Sequence, residues 1–231
     1  MSIALSRLPH RRSEIRVAVI LMFGLIGLLW LSQRGNYGTR ISIAAIEIFL
    51  PLLMGIIAAG LLADDPTLEL LLTAPRPTQY ILVERIIVVL GIGVIFGIAV
   101  QVLTNAWGIF LPHEGITQAF IWISPLVFYI GASSAVSLVR GRMLDGVILC
   151  LVISGIALLS GQIIAASCQG STLIGGCWLA VLNPLMTSSL PYDPLWPVNR
   201  VLWFVLGVLL VGASLLLAGH GERFFRDTPV E

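Results

Sequence analysis

The chain has 231 residues, of which 58% are hydrophobic and 11% charged, with a formal net charge of +1. Soluble domains carry roughly 25% charged residues, so this balance excludes an ordinary water-soluble globule, and the near-neutral charge offers nucleic acid little attraction. All 13 basic residues are arginine; without lysine the chain can hold neither a P-loop, whose lysine contacts nucleotide phosphates, nor a Schiff-base catalyst.

A spanning helix needs roughly 20 apolar residues, and six runs of suitable length follow one another along the chain. They cover residues 15–31, 41–62, 86–110, 118–139, 144–166 and 198–219. The first run is longer than a secretory signal core and lacks a small-residue cleavage site after it, so it is expected to be a retained anchor. Runs such as 86–100 and 201–218 have almost no polar face, which a soluble amphipathic helix would require.

The second run carries the sharpest polar signal. Glu47 is expected roughly 9 Å below the outer end of its helix, at about 1.5 Å per residue. A carboxylate at membrane depth is unfavourable unless it is paired or placed near the interface. Pro51 follows four residues later, so its ring crowds the Glu47 carbonyl and removes that carbonyl's helical donor. Gln101 in the third run should lie at similar depth, with Asn105 nearer the outer face, and either is a candidate partner. The functional reading puts Glu47 and Gln101 on a substrate path; the alternative is a carboxylate held by a structural partner.

Between the second and third runs lies a charged, proline-bounded insert, residues 64–85. Asp65 followed by Pro66 reads as an acidic N-cap with proline at the first helical position. Leu68, Leu71 and Leu72 share one face of the resulting helix, while Asp64, Asp65 and Glu69 supply its wet side. Pro75 stops that helix, and Thr78 can cap a second one leading through Tyr80, Glu84 and Arg85 into the third span. An amphipathic helix of this kind belongs at a membrane surface.

Arginine placement sets the expected orientation. With the N-terminus inside, Arg7, Arg11, Arg12, Arg16, Arg76, Arg85, Arg140, Arg142, Arg223 and Arg226 face the cytoplasm, and Arg34, Arg40 and Arg200 lie outside. Cytoplasmic loops collect positive residues, so both termini and the insert are expected in the cytoplasm. Residues 167–197, between the fifth and sixth runs, are too broken by Gly and Pro for two more spans. A re-entrant outer element fits them, where protein covers the backbone. Cys168 and Cys177 flank a Gly-rich part of this segment and can form a disulfide outside the cell.

No metal is expected, because His10, His113 and His220 do not cluster with the cysteines or with each other. No nucleophile–base constellation suggests an intramembrane enzyme. Gly93 and Gly97 form a GxxxG pair, and Gly131 with Ala135 a looser one, both suited to close helix approach.

The run Thr67-Leu68-Glu69-Leu70-Leu71-Leu72-Thr73-Ala74-Pro75, just after the second span, resembles the signature of ABC-2 type transporter permeases. Leu182-Asn183-Pro184-Leu185 resembles the Asn-Pro that follows that family's re-entrant outer helices. Pro66 stands where the family usually has glycine. The resemblance implies one all-α integral membrane domain over residues 1–231 with about six transmembrane helices. It further implies a cytoplasmic amphipathic coupling helix between helices 2 and 3 and a re-entrant outer segment between helices 5 and 6. The implied function is that of a permease subunit of an ATP-driven exporter in a bacterial or archaeal plasma membrane. This chain would carry no cofactor; ATP and Mg would sit on a separate ABC ATP-binding subunit. Asp65, Pro66, Thr67, Glu69, Leu71 and Leu72 would dock that subunit, and a second permease chain would complete the transporter. Haem-exporter membrane subunits of cytochrome c maturation share a related plan and stand as an alternative. An ion-coupled carrier working without an ATPase, and a purely structural scaffold, are the alternatives from other classes.

Overall fold

The computed structural model describes residues 42–60, 78–109, 111–168, 178–190 and 192–226, together with Gly24 and Gly27. Every regular element among them is helical. Helix α1 is Ser42–Ala59, α2 Thr78–Ala106, α3 Ile116–Arg140 and α4 Met143–Cys168. Two one-turn helices, α5 (Trp178–Val181) and α6 (Met186–Ser189), precede α7, Trp196–Arg226. Five of these helices (α1–α4 and α7) are long and apolar enough to cross a membrane. The run expected at 15–31 falls outside the described residues except for Gly24 and Gly27, both helical. The insert residues Asp65, Pro66, Thr67, Glu69, Leu71 and Leu72 also lie outside them.

The expected spans shift at their ends for local reasons. The third begins at Thr78 rather than at residue 86, because no helix breaker stands between Thr78 and Arg85 and the helix continues without a break. It ends at Ala106, before the left-handed Gly108 (φ 70°). The last span begins at Trp196, directly before Pro197 in its first turn, a position where the missing N–H is not needed. Gly141, at φ 66°, closes α3 in the left-handed conformation that lets the chain reverse into α4 within Arg140-Gly141-Arg142.

The helices are not equivalent. Within the span windows of α1 and α3, 67% and 72% of residues are buried, against 28%, 22% and 17% for α2, α4 and α7. So α1 and α3 form the centre, and the others turn one face outward. Those outward faces carry Ile87, Ile95 and Val102 on α2, Ile156, Leu159 and Ile163 on α4, and Val201, Leu209 and Leu216 on α7. Water would not tolerate such a continuous apolar surface, whereas hydrocarbon does. The chain is a membrane-embedded helical bundle.

Inside, Ile46, Leu50 and Met54 of α1 pack with Leu82, Ile86 and Val89 of α2 and with Trp122, Leu126 and Ile130 of α3. Hydrocarbon gives apolar helices no hydrophobic reason to associate, so close fit must hold them. The glycines provide it. A Cβ on Gly93 would stand 2.9 Å from the Leu126 side chain, and one on Gly97 2.6 Å from the Trp122 ring. The GxxxG pair therefore serves the α2–α3 contact. Gly131 has a different partner: its added Cβ would lie 2.6 Å from the Gly207 carbonyl oxygen of α7.

The two ends of the bundle differ in chemistry. A Cβ on Gly60, after α1, would meet Met143 Sδ at 3.3 Å, and one on Gly219 of α7 would overlap the side chain of Gln79 near the start of α2. The end of α1, the starts of α2 and α4, and Gly219 thus gather at the end that bears Arg140 and Arg142. The opposite end holds the start of α3, the end of α4, α5, α6 and the start of α7.

Candidate functional site

The polar centre of the molecule lies near that opposite end, on elements far apart in sequence. Pro125 sits inside α3 and is buried. Having no N–H, it leaves the Ile121 carbonyl without its helical donor. Arg200, one turn into α7, fills that gap: its Nη1 donates to Ile121 O at 3.3 Å and to Pro184 O at 3.2 Å. Its Nη2 donates to Glu47 Oε1 and, at 2.6 Å, to Thr187 Oγ1. Glu47 and Arg200 form an ion pair with 0% and 1% of their side chains exposed.

Glu47 makes a second set of contacts. Its Oε1 accepts from the Thr187 backbone N–H at 2.8 Å and its Oε2 from that of Ser188 at 2.7 Å. These two amides open the single turn of α6, where N–H groups have no intrahelical acceptor. A carboxylate 140 residues away in sequence supplies the cap, assisted by charge. Glu47 is thus neutralised by a cation and anchored by a backbone at once.

The rest of the segment from Trp178 to Leu190 is also held by side chains that reach its backbone. Asn199 Nδ2 faces the carbonyls of Ala180, Val181 and Asn183 at 3.3, 2.9 and 2.7 Å. Trp203 Nε1 donates to Val181 O at 3.2 Å. Asn183 Nδ2 donates to Ala157 O of α4 at 3.1 Å, while its Oδ1 accepts from Leu185 N at 2.8 Å and shapes the Asn-Pro turn. Apolar support comes from Ala180 and Met186 packed with Ile121 and Trp196, and from Leu185 against Ile48 and Ala157. Irregular backbone among apolar helices is tolerated only when its polar groups are satisfied by protein. Here Asn199, Arg200, Trp203 and Glu47 do that.

Above the ion pair lies an aromatic stack. The Arg200 guanidinium sits 5.5 Å from the Trp196 ring centre. The His113 ring stacks on Trp196 at 3.8 Å and 27°, and Trp196 Nε1 donates to Thr187 Oγ1 at 2.9 Å. His113 has φ 69°, uncommon for a non-glycine residue though histidine is enriched there.

Several expectations are corrected. Gln101 does not pair with Glu47: its Nε2 donates to Gln118 Oε1 at 2.7 Å and its Oε1 accepts from Trp122 Nε1 at 3.2 Å. The side chain points to α3 because that helix offers polar partners across the glycine-lined contact. Arg200, counted with the outside-facing arginines, is buried within the helix and does not face outside. The helix begins before it and the Glu47 carboxylate neutralises it, so it reports on packing and not on topology. Any cargo approaching Glu47 or Gln101 would have to displace these protein partners first.

Cys168 is the last residue of α4 and is disulfide-bonded. Cys150 is free and buried, and Cys177 lies outside the described residues. Among the described residues no group of His, Cys, Asp and Glu could hold a metal ion.

Arg200 was the residue that sequence reasoning missed. The signal was present: Glu47 and Arg200 carry opposite charges, each a few residues from the same end of its helix, and charges at membrane depth are normally paired. A scan against protein-family models finds no match to this chain, and a search among curated proteins finds none either.

Proposed function

We propose that this chain is the membrane-spanning permease subunit of an ATP-driven exporter of the ABC-2 type, coupled to a separate ATP-binding subunit. The observation that carries the reading is where the insert leaves and re-enters the bundle. Gly60 precedes it, its second part from Thr78 is already the start of α2, and both Gly60 and Thr78 stand at the end that bears Arg140 and Arg142. Positive residues mark the cytoplasmic side, where ATP is available to a partner.

Three further features support it. Helix α7 has 31 residues and is about 46 Å long at ~1.5 Å per residue. That exceeds a hydrocarbon core of about 30 Å, so its last turns project from the arginine-bearing end. Second, Cys168 at the opposite end is disulfide-bonded, which suits an oxidising outer compartment. Third, the absence of lysine from the whole chain removes the P-loop and requires a separate engine.

In the proposed mechanism the ATP-binding subunit docks on Asp65, Pro66, Thr67, Glu69, Leu71 and Leu72. Closure of that subunit on ATP and Mg moves the insert, and the spans follow because the insert is covalently joined to α1 before it and to α2 after it. Two permease chains, six spans each, enclose the cargo route. The segment 178–190 forms the re-entrant outer element. Both termini are cytoplasmic in a bacterial or archaeal plasma membrane.

The test is co-purification. Tagged full-length chain, extracted from its native membrane in mild detergent, is expected to bring down a P-loop ATPase whose hydrolysis changes on reconstitution with the chain. Recovery of the chain without any such ATPase, combined with transport by the chain alone, would sink the reading.

A further inference from the structure

Glu47 stands on a π-helical turn, Ala45–Phe49, in which the Leu50 N–H bonds to the Ala45 carbonyl five residues back. Such turns are rare and concentrate at functional positions. The local cause is Pro51. Its ring would press on the Glu47 carbonyl in a regular helix and it offers no N–H to that carbonyl, so widening the turn relieves the clash at little loss of hydrogen bonding. The widened turn also sets the direction of the Glu47 side chain. Removing the extra residue of a π turn rotates the helix before it by about 100° relative to the helix beyond it, from 3.6 residues per turn.

A second observation is independent of the first. The segment 178–190 is fastened by polar contacts, and the fastening is incomplete. Arg200 Nε and Asn199 Oδ1 are buried and have no hydrogen-bond partner among the described residues. Ser42 Oγ, at the start of α1, is in the same condition. Buried polar atoms without partners are few in native folds and mark stored strain. Ser124, Ser134 and Ser137 Oγ of α3 are in the same condition, so such atoms are not confined to the strap; those of Asn199 and Arg200 belong to the two α7 residues that grip it.

We propose that the π turn of α1 is a release catch for the 178–190 strap. In the π form, Glu47 caps Thr187 and Ser188 and pairs with Arg200, so the strap is closed over the bundle. When the turn tightens to α geometry, the carboxylate rotates off both amides, Arg200 loses its counter-charge, and the strap lifts. Proline at position 51 biases the turn to the closed form. The inference concerns the strap alone and does not depend on ATP-driven export.

The experiment is hydrogen–deuterium exchange on the full chain in lipid nanodiscs, read on peptides covering 183–190 and, as internal reference, 126–132 of α3. Pro51→Ala restores an N–H and removes the ring, favouring the α form without deleting a contact of the strap. At least tenfold faster exchange in 183–190 with unchanged exchange in 126–132 is expected. Glu47→Gln, which leaves an acceptor but no charge, should release the same peptide. Unchanged exchange of 183–190 in Pro51→Ala overturns the proposal. Equal acceleration of both peptides in that variant also overturns it, since Pro51 would then be a general packing residue.

Discussion

Arg200→Met should lower the stability of the bundle by about 3–5 kcal/mol, the usual penalty for removing one partner of a buried ion pair. Methionine keeps most of the volume, so the loss reports polar groups and not a cavity. Four acceptors lose a donor at once: Glu47 Oε1, Thr187 Oγ1, Ile121 O and Pro184 O. Of these, the Ile121 carbonyl has no fallback, because Pro125 cannot donate to it. Adding Glu47→Gln should recover part of the loss, since no unpaired charge then remains, and a well-packed neutral pair often matches an ionic one. Reversible unfolding in mixed micelles, followed by tryptophan fluorescence, measures all four corners of the cycle. A loss below about 1 kcal/mol for Arg200→Met, the range of a surface pair, would remove the ion pair from the centre of the account.

Gly207→Ala should be the most damaging single-methyl addition in the spans. Its Cβ would lie 2.6 Å from the Phe128 backbone nitrogen and 2.7 Å from Phe128 Cα. Backbone cannot step aside as a side-chain tip can, so α3 and α7 must separate along their whole contact. Overpacking of this kind costs about 1–3 kcal/mol, and Gly207→Leu should exceed that range. The control is on the same helix: nothing lies within 4 Å of a Cβ on Gly212. Gly212→Ala should be neutral or stabilising by up to about 1 kcal/mol, through helix propensity alone. Thermal unfolding of the three variants in one detergent gives the comparison. Equal effects of the two alanine substitutions would show that the α3–α7 crossing does not depend on the missing side chain.

The helices were legible because length and polarity determine them: the five described spans fall where the apolar runs predict. Glu47 was legible as well, since a carboxylate within an apolar run stands out by charge alone. Its environment was not. Arg200 lies 153 residues away, and no periodicity relates α1 to α7. Two residues inside the expected span 198–219, that arginine reads as an outside-facing charge, which hides its partner. The caps on Thr187 and Ser188 were invisible for the same reason: they depend on how an irregular segment folds back, not on any local pattern. Gly131 shows the intermediate case. Its smallness announced a close approach, but only the packed bundle shows that the approaching backbone belongs to Gly207.

The insert lies between α1 and α2 in the sequence, and both helices reach from the arginine-bearing end toward the polar centre. It hangs between α1, which carries the Glu47 catch, and α2, whose start touches α7 near Gly219. Under the proposed function, a push on the insert reaches both helices that hold the Glu47–Arg200 pair. For the proposed function the most direct measurement is ATP hydrolysis by the proposed ATP-binding subunit reconstituted with this chain carrying Glu69→Arg. The account predicts that charge reversal in the proposed docking segment abolishes the chain-dependent change in hydrolysis while the bundle stays folded. Unaltered coupling in that variant would contradict it.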